Sequence, residues 1–181
     1  TSRKRATTIG LLSRPGQGHG PMNLQWEVLS ILVGFIAAAI AGGTFFAFSN
    51  FVMPALSALP AATGASAMQA INRAAPNLVF IAALSFGVVA GVPVLAAEID
   101  SFDQSETILV AAAVALSAIS FAITMTRNVP KNNKLDAIDA ESPAGATYWQ
   151  QYVRTWTRDN TLRGLASMAS ATMYAISLLV R

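Results

Sequence analysis

The sequence lacks cysteine, and its only histidine is His19. Without cysteine the chain forms no disulfide, thiolate metal site, iron–sulfur cluster or cysteine nucleophile. A haem or zinc site would have to form without the usual imidazole ligands. Nucleotide-binding loops and catalytic triads are also missing from the motifs. We therefore expect no metal and no cofactor.

Charged residues are scarce, at 12% of the chain against 54% hydrophobic residues. Four segments contain no Asp, Glu, Lys or Arg, namely 28–51, 77–97, 107–126 and 164–180. Each is close to the roughly 20 residues that a helix needs to cross a hydrocarbon core. Buried helices of a soluble bundle are a weaker explanation, because such helices carry a charged face toward water. The pattern predicts four membrane-spanning helices.

The predicted fold is all-α, an integral membrane four-helix bundle over residues 22–181 that follows a flexible basic tail, residues 1–21. Small residues four apart, such as Ala38 with Gly42, would let helices approach closely. Pro93 is expected to kink the second helix, and Pro130 is expected to end the third. Basic residues that could suggest nucleic-acid binding cluster mainly in the tail, so no nucleic-acid partner is expected.

Four spans place the first and third loops on the same side of the membrane. These loops and their borders carry Arg73, Arg127, Lys131, Lys134, Arg154, Arg158 and Arg163, whereas the second loop carries four acids and no base. The positive-inside rule places the first and third loops in the cytoplasm. The basic tail favours the opposite orientation, but Arg3, Lys4 and Arg5 lie near or beyond the distance from the first span over which the rule acts.

The first and third loops are each predicted to contain a short amphipathic helix at the membrane interface. The first helix covers 64–76. The second begins where Ser142 can cap and Pro143 can take the first helical position. Its apolar stripe is Trp149, Tyr152, Val153 and Trp156. Asp159 or Asn160 is expected to cap a separate fourth span.

Polar groups can converge on the side of the membrane shared by the first and third loops. They are Ser49, Asn50, Asn77, Arg127, Asn128, Asn160 and Arg163. With the aromatic stripe as a lid, they would form a pocket for a flat organic molecule. Helix capping, arginine snorkelling and an interfacial aromatic belt explain each residue alone. The one-sided placement of the whole set favours a site.

Four motifs occur in order between the predicted spans: "GTFFAFSNFVMPAL", "AMQAINRAA", "TRNVPKNNKLD" and "WQQYVRTWTRDNTLR". Together they resemble the anthrone oxygenase-like family of small membrane proteins from bacteria and fungi. The resemblance runs from about Leu29 to the end of the sequence. It implies oxidation of an anthrone to an anthraquinone by dioxygen without metal or flavin. It also implies a bacterial inner membrane, with the lipid bilayer and a hydrophobic aromatic small molecule as partners.

The resemblance also implies roles for individual residues. Arg127 and Arg163 would stabilise an enolate, and Asn160 would orient it. The rest of the expected substrate-binding set is Asn50, Asn72, Arg73, Asn128, Asn132, Trp149, Tyr152 and Trp156. Many relatives have a histidine directly after the asparagine of the last motif, where this chain has Thr161. Asp159 is the substitute candidate for the base.

The missing histidine keeps a second hypothesis open. The chain could be a non-catalytic membrane module, either an accessory subunit of a larger complex or a small-molecule-binding protein. Small-residue helix faces would then pack against a partner or against a second copy of the chain. A purification that reveals a stoichiometric partner would favour this alternative.

Overall fold

The computed structural model describes residues 21–97 and 105–180, with side chains from residue 25 onward. Within these ranges all regular structure is helical, and no strand occurs. Nearly all of the predicted basic tail and most of the acidic second loop lie outside the described residues.

The described chain contains eight α-helices and two π-helical segments. They are α1 (Pro21–Ala47), the first π segment (Phe48–Val52), α2 (Met53–Ser57), α3 (Ala61–Ala74), α4 (Leu78–Val89), α5 (Val92–Ala97), α6 (Ser105–Ile123), the second π segment (Thr124–Asn128), α7 (Val129–Asp136) and α8 (Pro143–Val180). Four helical runs are long and apolar enough to cross a membrane: Gln25–Ser57, Leu78–Ala97, Ser105–Asp136 and Pro143–Val180. The prediction of four such helices is confirmed.

The prediction that Pro130 ends the third helix is wrong, because the helix continues through it to Asp136. Proline lacks an N–H, and its ring crowds the carbonyl four residues earlier. Directly before α7 the chain forms the second π segment, where the Val129 N–H bonds to the Thr124 carbonyl five residues back. This wider turn removes one carbonyl from the α-helical ladder. The first π segment precedes Pro54 in the same way.

A kink was predicted near Pro93, and a turn at Ala90 and Gly91 separates α4 from α5 just before this proline. The fourth span differs from the prediction. Helix α8 begins as expected, at Pro143 with the Ser142 hydroxyl accepting the Gly145 N–H at 3.0 Å, but then runs unbroken for 38 residues.

A cap at Asp159 or Asn160 was therefore predicted wrongly, because both residues lie in the interior of α8. Residues 157–163 contain no proline or glycine that would end a helix. The amphipathic segment of the third loop and the fourth span form one rod, about 57 Å long.

Helices α1 and α6 pack along the C-terminal half of α8. Ser117 and Ser120 of α6 share hydrogen bonds of 2.8 Å with Ser170 and Ser167 of α8. A Cβ atom added to Gly42 of α1 would lie 3.4 Å from the Ser167 Cβ. Small residues thus bring these helices into close contact, as the spacing of small residues predicted.

The aromatic stripe of α8 is a packed core. Trp149, Tyr152 and Trp156 are at most 3% exposed. They pack with Ala65 and Met68 of α3 and with Leu135 of α7. The first loop contains α3, at Ala61–Ala74, and the stripe expected to form an aromatic lid is instead the core that joins α3, α7 and the N-terminal half of α8.

Candidate functional site

A cavity of about 590 Å³ lies among the helix ends on the side of the first and third loops. Its volume falls within the roughly 300–1,000 Å³ that small-molecule sites occupy. Apolar side chains form most of the wall, including Phe45, Phe48, Met68, Ile71, Phe80, Ile81, Leu84, Met125 and Val129. The side chains with polar atoms are Thr44, Asn72, Asn77, Thr124, Asn132, Trp156 and Arg163. An apolar wall with a few donors and acceptors suits a flat organic ligand.

Arg163 is the central polar group of the wall and is only 5% exposed. Its Nη1 donates to the Thr124 hydroxyl at 3.1 Å, and its Nε and Nη2 donate to the Asn160 Oδ1 at 3.1 and 2.8 Å. Its guanidinium carbon lies 4.0 Å from the centre of the Phe45 ring. In residues 21–97 and 105–180, no carboxylate oxygen lies within 4.0 Å of it. Buried charges are normally paired, so this cation is suited to an anionic ligand.

Asn160 holds Arg163 in place from behind the cavity. Its Nδ2 donates to the Phe45 carbonyl and the Ser49 hydroxyl, each at 2.7 Å, which ties α8 to α1. Its Oδ1 accepts the two N–H groups from Arg163. Thr161, at the position where the resemblance leads us to expect histidine, is exposed and bonds to Ser49 at 2.9 Å. Neither residue lines the cavity.

Asn132 supplies a second donor to the cavity. Its Oδ1 accepts hydrogen bonds from the Tyr152 hydroxyl at 2.8 Å and from the Trp156 Nε1 at 2.7 Å. The Tyr152 oxygen accepts a further bond from Asn72 at 3.3 Å. Because the Asn132 oxygen is occupied twice, its amide NH₂ remains for a ligand. Trp156 adds an aromatic surface, and the Tyr152 ring stacks on it with 5.8 Å between the ring centres.

Asp159 does not line the cavity. Its buried carboxylate forms ion pairs with Lys131, with Arg158 at 3.1 Å and with Arg127 at 3.7 Å. This cluster joins α7 to α8. Arg127, which the resemblance assigned to enolate stabilisation, is exposed and belongs to the same ion-pair cluster.

The remaining predicted site residues lie away from the cavity. Asn50 is exposed, and exposed Arg73 pairs with Asp136. Asn128 is buried and donates to the Trp156 carbonyl at 3.3 Å. Trp149 stacks on Tyr152 at 5.8 Å. Of the predicted residues, the structure places Asn72, Asn77, Asn132, Trp156 and Arg163 in the wall, and Tyr152 and Asn160 behind it.

Some residues in the cavity wall were not predicted. Thr124 accepts a hydrogen bond from Arg163, yet it lies inside a charge-free segment that reads simply as a membrane span. Its position at the start of the π segment is the only local signal, since π turns often occur at functional sites. Thr44 also lies in the wall. It was not predicted, because the sequence does not show which side of a uniformly apolar helix faces inward.

The chemistry open to this cavity is anion binding. None of the described lining side chains carries a carboxylate or an imidazole. In the described part of the chain, no group of three or more His, Asp or Glu side chains could hold a metal ion. A guanidinium and an amide donor beside aromatic surfaces would stabilise an oxyanion on a flat ring system.

Comparison with protein-family models matches residues 65–173 to the anthrone oxygenase family. Comparison with curated proteins and with solved structures found no match. The matched region contains most of α3, all of α4 and the second π segment, and it includes Asn72, Asn132, Trp156 and Arg163 of the cavity wall. Because the match covers more than half of the sequence, the chain belongs to the anthrone oxygenase family.

Proposed function

We propose that the protein oxidises a flat polycyclic phenolic substrate of the anthrone type with dioxygen, without a cofactor, inside the cavity. Membership of the anthrone oxygenase family supports the reaction class. The proposal rests on the position of Arg163, a buried cation in an apolar wall that has no carboxylate oxygen within 4.0 Å among the described residues. Such a cation favours the ionised form of a bound ligand.

Ionisation of the substrate is the step that the cavity would accelerate. Loss of a proton from the anthrone methylene gives a carbanion whose charge spreads onto the ketone oxygen. A guanidinium fixed beside that oxygen stabilises the anion more than it stabilises the neutral substrate. Arg163 is already held by Asn160 and Thr124, so little reorganisation is needed.

Oxidation then follows from the anion itself. The anion passes one electron to dioxygen, and the resulting radical and superoxide combine at the former methylene carbon. Protonation gives a hydroperoxide, which loses water to leave the second carbonyl. One anthrone and one dioxygen are thus converted into one anthraquinone and one water.

The other polar residues have supporting roles. The Asn132 amide donates to a second oxygen of the substrate, and Trp156 stacks on its rings. Asp159 is engaged by three cations and does not line the cavity, so we assign it a structural role. The proton passes to water, and the rate enhancement comes from stabilisation of the anion.

We further propose that the cavity side faces the cytoplasm of a bacterial cell, with α3 and the first half of α8 at the inner-membrane surface. The basic residues of the first and third loops support this orientation, since the second loop carries four acidic residues and no basic residue. Alternating apolar and polar faces of α3 support its interfacial position.

The direct test uses the purified protein in detergent with emodin anthrone and dioxygen. Wild-type protein is expected to form quinone above the spontaneous rate, with matching oxygen uptake. Arg163→Ala is expected to lower this enhancement by about 10²–10³-fold, as loss of an oxyanion donor does. Arg154→Gln is the matched control, because Arg154 is an exposed arginine on the same helix.

Two results would contradict the proposed oxygenase function. One is a wild-type rate equal to the spontaneous rate, and the other is equal activity of Arg163→Ala and Arg154→Gln. Because loss of a buried side chain can also disturb folding, thermal unfolding is measured for each variant, and Arg163→Lys provides a variant that keeps the charge. Co-purification of a stoichiometric protein partner would favour the accessory-subunit alternative.

A further inference from the structure

Two apolar side chains of the cavity wall are also exposed on the outside of the protein. Ile81 of α4 is 50% exposed, and Met125 of the second π segment is 47% exposed. Helix α4 packs against α1 and α6 but has little contact with the second π segment. The cavity therefore reaches the outer surface between the start of α4 and this segment.

The depth of this opening can be estimated from α4 and α5. The run Leu78–Ala97 has 20 residues, which matches a hydrocarbon core about 30 Å thick. Ile81 and Leu84 then lie roughly 5 and 9 Å along the helix axis from Leu78. Around the opening Leu78 and Val79 are also exposed, at 82% and 72%. Exposed apolar side chains thus surround the opening, as on a surface that faces lipid acyl chains.

Helix α3 covers the cavity on the loop side. Gln69 donates to the carbonyls of Leu135 and Ile138 at 2.8 and 2.9 Å, which ties α3 to the end of α7 and the turn after it. Arg73 pairs with Asp136 at the end of the same helix. The Asn72 amide of α3 donates a hydrogen bond to the Tyr152 hydroxyl of α8. These contacts hold α3 over the loop side of the cavity.

We propose that the substrate enters sideways from the bilayer, between the start of α4 and the second π segment. The substrate class is then a neutral lipophilic phenol or aryl ketone dissolved in the membrane. It would pass Ile81 and Met125 uncharged and ionise only beside Arg163. The identity of the ligand rests on the proposed oxygenase function, whereas the route does not.

The opening can be tested without activity, because the chain contains no cysteine and each introduced thiol is unique. Nitroxide labels on Ile81→Cys and Met125→Cys are compared in liposomes with labels on Ile119→Cys and Ala137→Cys. Ile119 is an exposed apolar residue of α6 outside the cavity, and Ala137 is exposed in the third loop. Collisions with dioxygen and with a water-soluble nickel chelate report lipid and water contact.

We expect the labels at 81 and 125 to behave like the label at 119, with strong dioxygen collisions and weak nickel collisions. Addition of the quinone emodin should reduce dioxygen collisions at 81 and 125 and leave them unchanged at 119. Nickel collisions at 81 and 125 as frequent as at 137 would overturn the membrane route, whatever the activity of the protein.

Turnover provides a second test. The substrate is an anthrone with a hexadecyl chain, incorporated into liposomes that contain the protein. Met125→Trp and Ile81→Trp narrow the opening and are expected to slow quinone formation about tenfold, which a barrier higher by about 1.4 kcal/mol would produce. Ile119→Trp and Val89→Trp place the same bulk on α6 and α4 away from the cavity and should keep wild-type rates.

The outcomes separate the two proposals. If all four tryptophan variants match the wild type while Arg163→Ala is inactive, the oxygenase stands and the membrane route fails. If the wild-type protein is inactive, the oxygenase fails and the spin-label pattern alone decides the route.

Discussion

At the scale of single residues, Arg163 combines features that normally exclude each other. It is a buried charge, yet its N–H groups are bonded by Asn160 and Thr124, and Phe45 lies against its face. Hydrogen bonds and cation–π contact hold the group without neutralising it. A nearby carboxylate would stabilise the fold more directly but would also compete with an anionic ligand.

Asp159 shows the opposite arrangement, since its carboxylate meets three cations. We predict that Asp159→Asn leaves quinone formation unchanged and lowers the free energy of unfolding by about 1 kcal/mol through weaker hydrogen bonds. The exposed cations of the cluster can turn toward water once the negative charge is removed. The measurements are the rate with emodin anthrone and thermal unfolding in detergent.

Asp136→Asn is the control for the loss of a carboxylate charge outside the cluster, because Asp136 forms a single exposed ion pair with Arg73. A loss of activity in Asp159→Asn as large as that in Arg163→Ala would identify Asp159 as the proton acceptor and refute its structural assignment.

At the scale of helices, the cavity depends on how closely α3 approaches α8. A Cβ atom added to Gly64 would lie 2.6 Å from the Leu56 carbonyl oxygen and 2.8 Å from the Trp149 Cζ2. The neighbouring backbone would have to move, and overpacking of this kind costs about 1–3 kcal/mol. We predict that Gly64→Ala lowers the Tm of the purified protein by several degrees and weakens emodin binding.

Gly43→Ala is the matched substitution, because nothing lies within 4 Å of a Cβ atom added there. It should be neutral, or stabilising by up to about 1 kcal/mol from helix propensity. Thermal unfolding and quenching of tryptophan fluorescence by emodin measure both variants. Equal Tm values would show that α3 can shift freely and that its fit against Trp149 matters little.

Local patterns in the sequence predict much of the helical framework. The charge-free segments, the Ser142 and Pro143 start of α8 and the break before Pro93 all follow from rules that act within one turn. The buried position of Asp159 inside α8 does not, because its carboxylate pairs with Lys131 and Arg127 from another part of the chain. Sequence patterns within one turn do not show such distant partners.

The candidate site was predictable to a similar extent. Polar residues at one rim indicated Arg163 and the family resemblance indicated Asn132, but sequence spacing could not separate side chains in the wall from those behind it. Asn160 and Asn132 look alike as helix asparagines, yet one supports Arg163 and the other faces the cavity. Thr124 stayed hidden because a hydroxyl in an apolar helix often bonds only to its own backbone.

At the scale of the whole molecule, the proposed arrangement places the first and third loops in the cytoplasm. We predict that Ala58→Cys and Ala137→Cys react with a membrane-impermeant maleimide only in inside-out vesicles. Ser101→Cys, in the acidic second loop, should react only from outside intact spheroplasts. The absence of native cysteine makes each label specific.

The labelling pattern distinguishes orientation from topology. Reaction of both alanine positions from outside would reverse the orientation and keep the four spans. Reaction of positions 58 and 137 from opposite sides would contradict the four-span arrangement itself.

Helix α8 is the least apolar of the four candidate spans, because it carries Arg163 and several serines, of which Ser167 and Ser170 bond to α6. Alone in a bilayer these groups would lack partners, and insertion of an arginine costs up to about 3 kcal/mol at the centre of a span and less near its end, where Arg163 lies. During synthesis, therefore, this last helix should enter the membrane only after α1 and α6 are in place. In a chain that lacked either of those helices, α8 would stay outside the membrane and would be degraded by quality-control proteases.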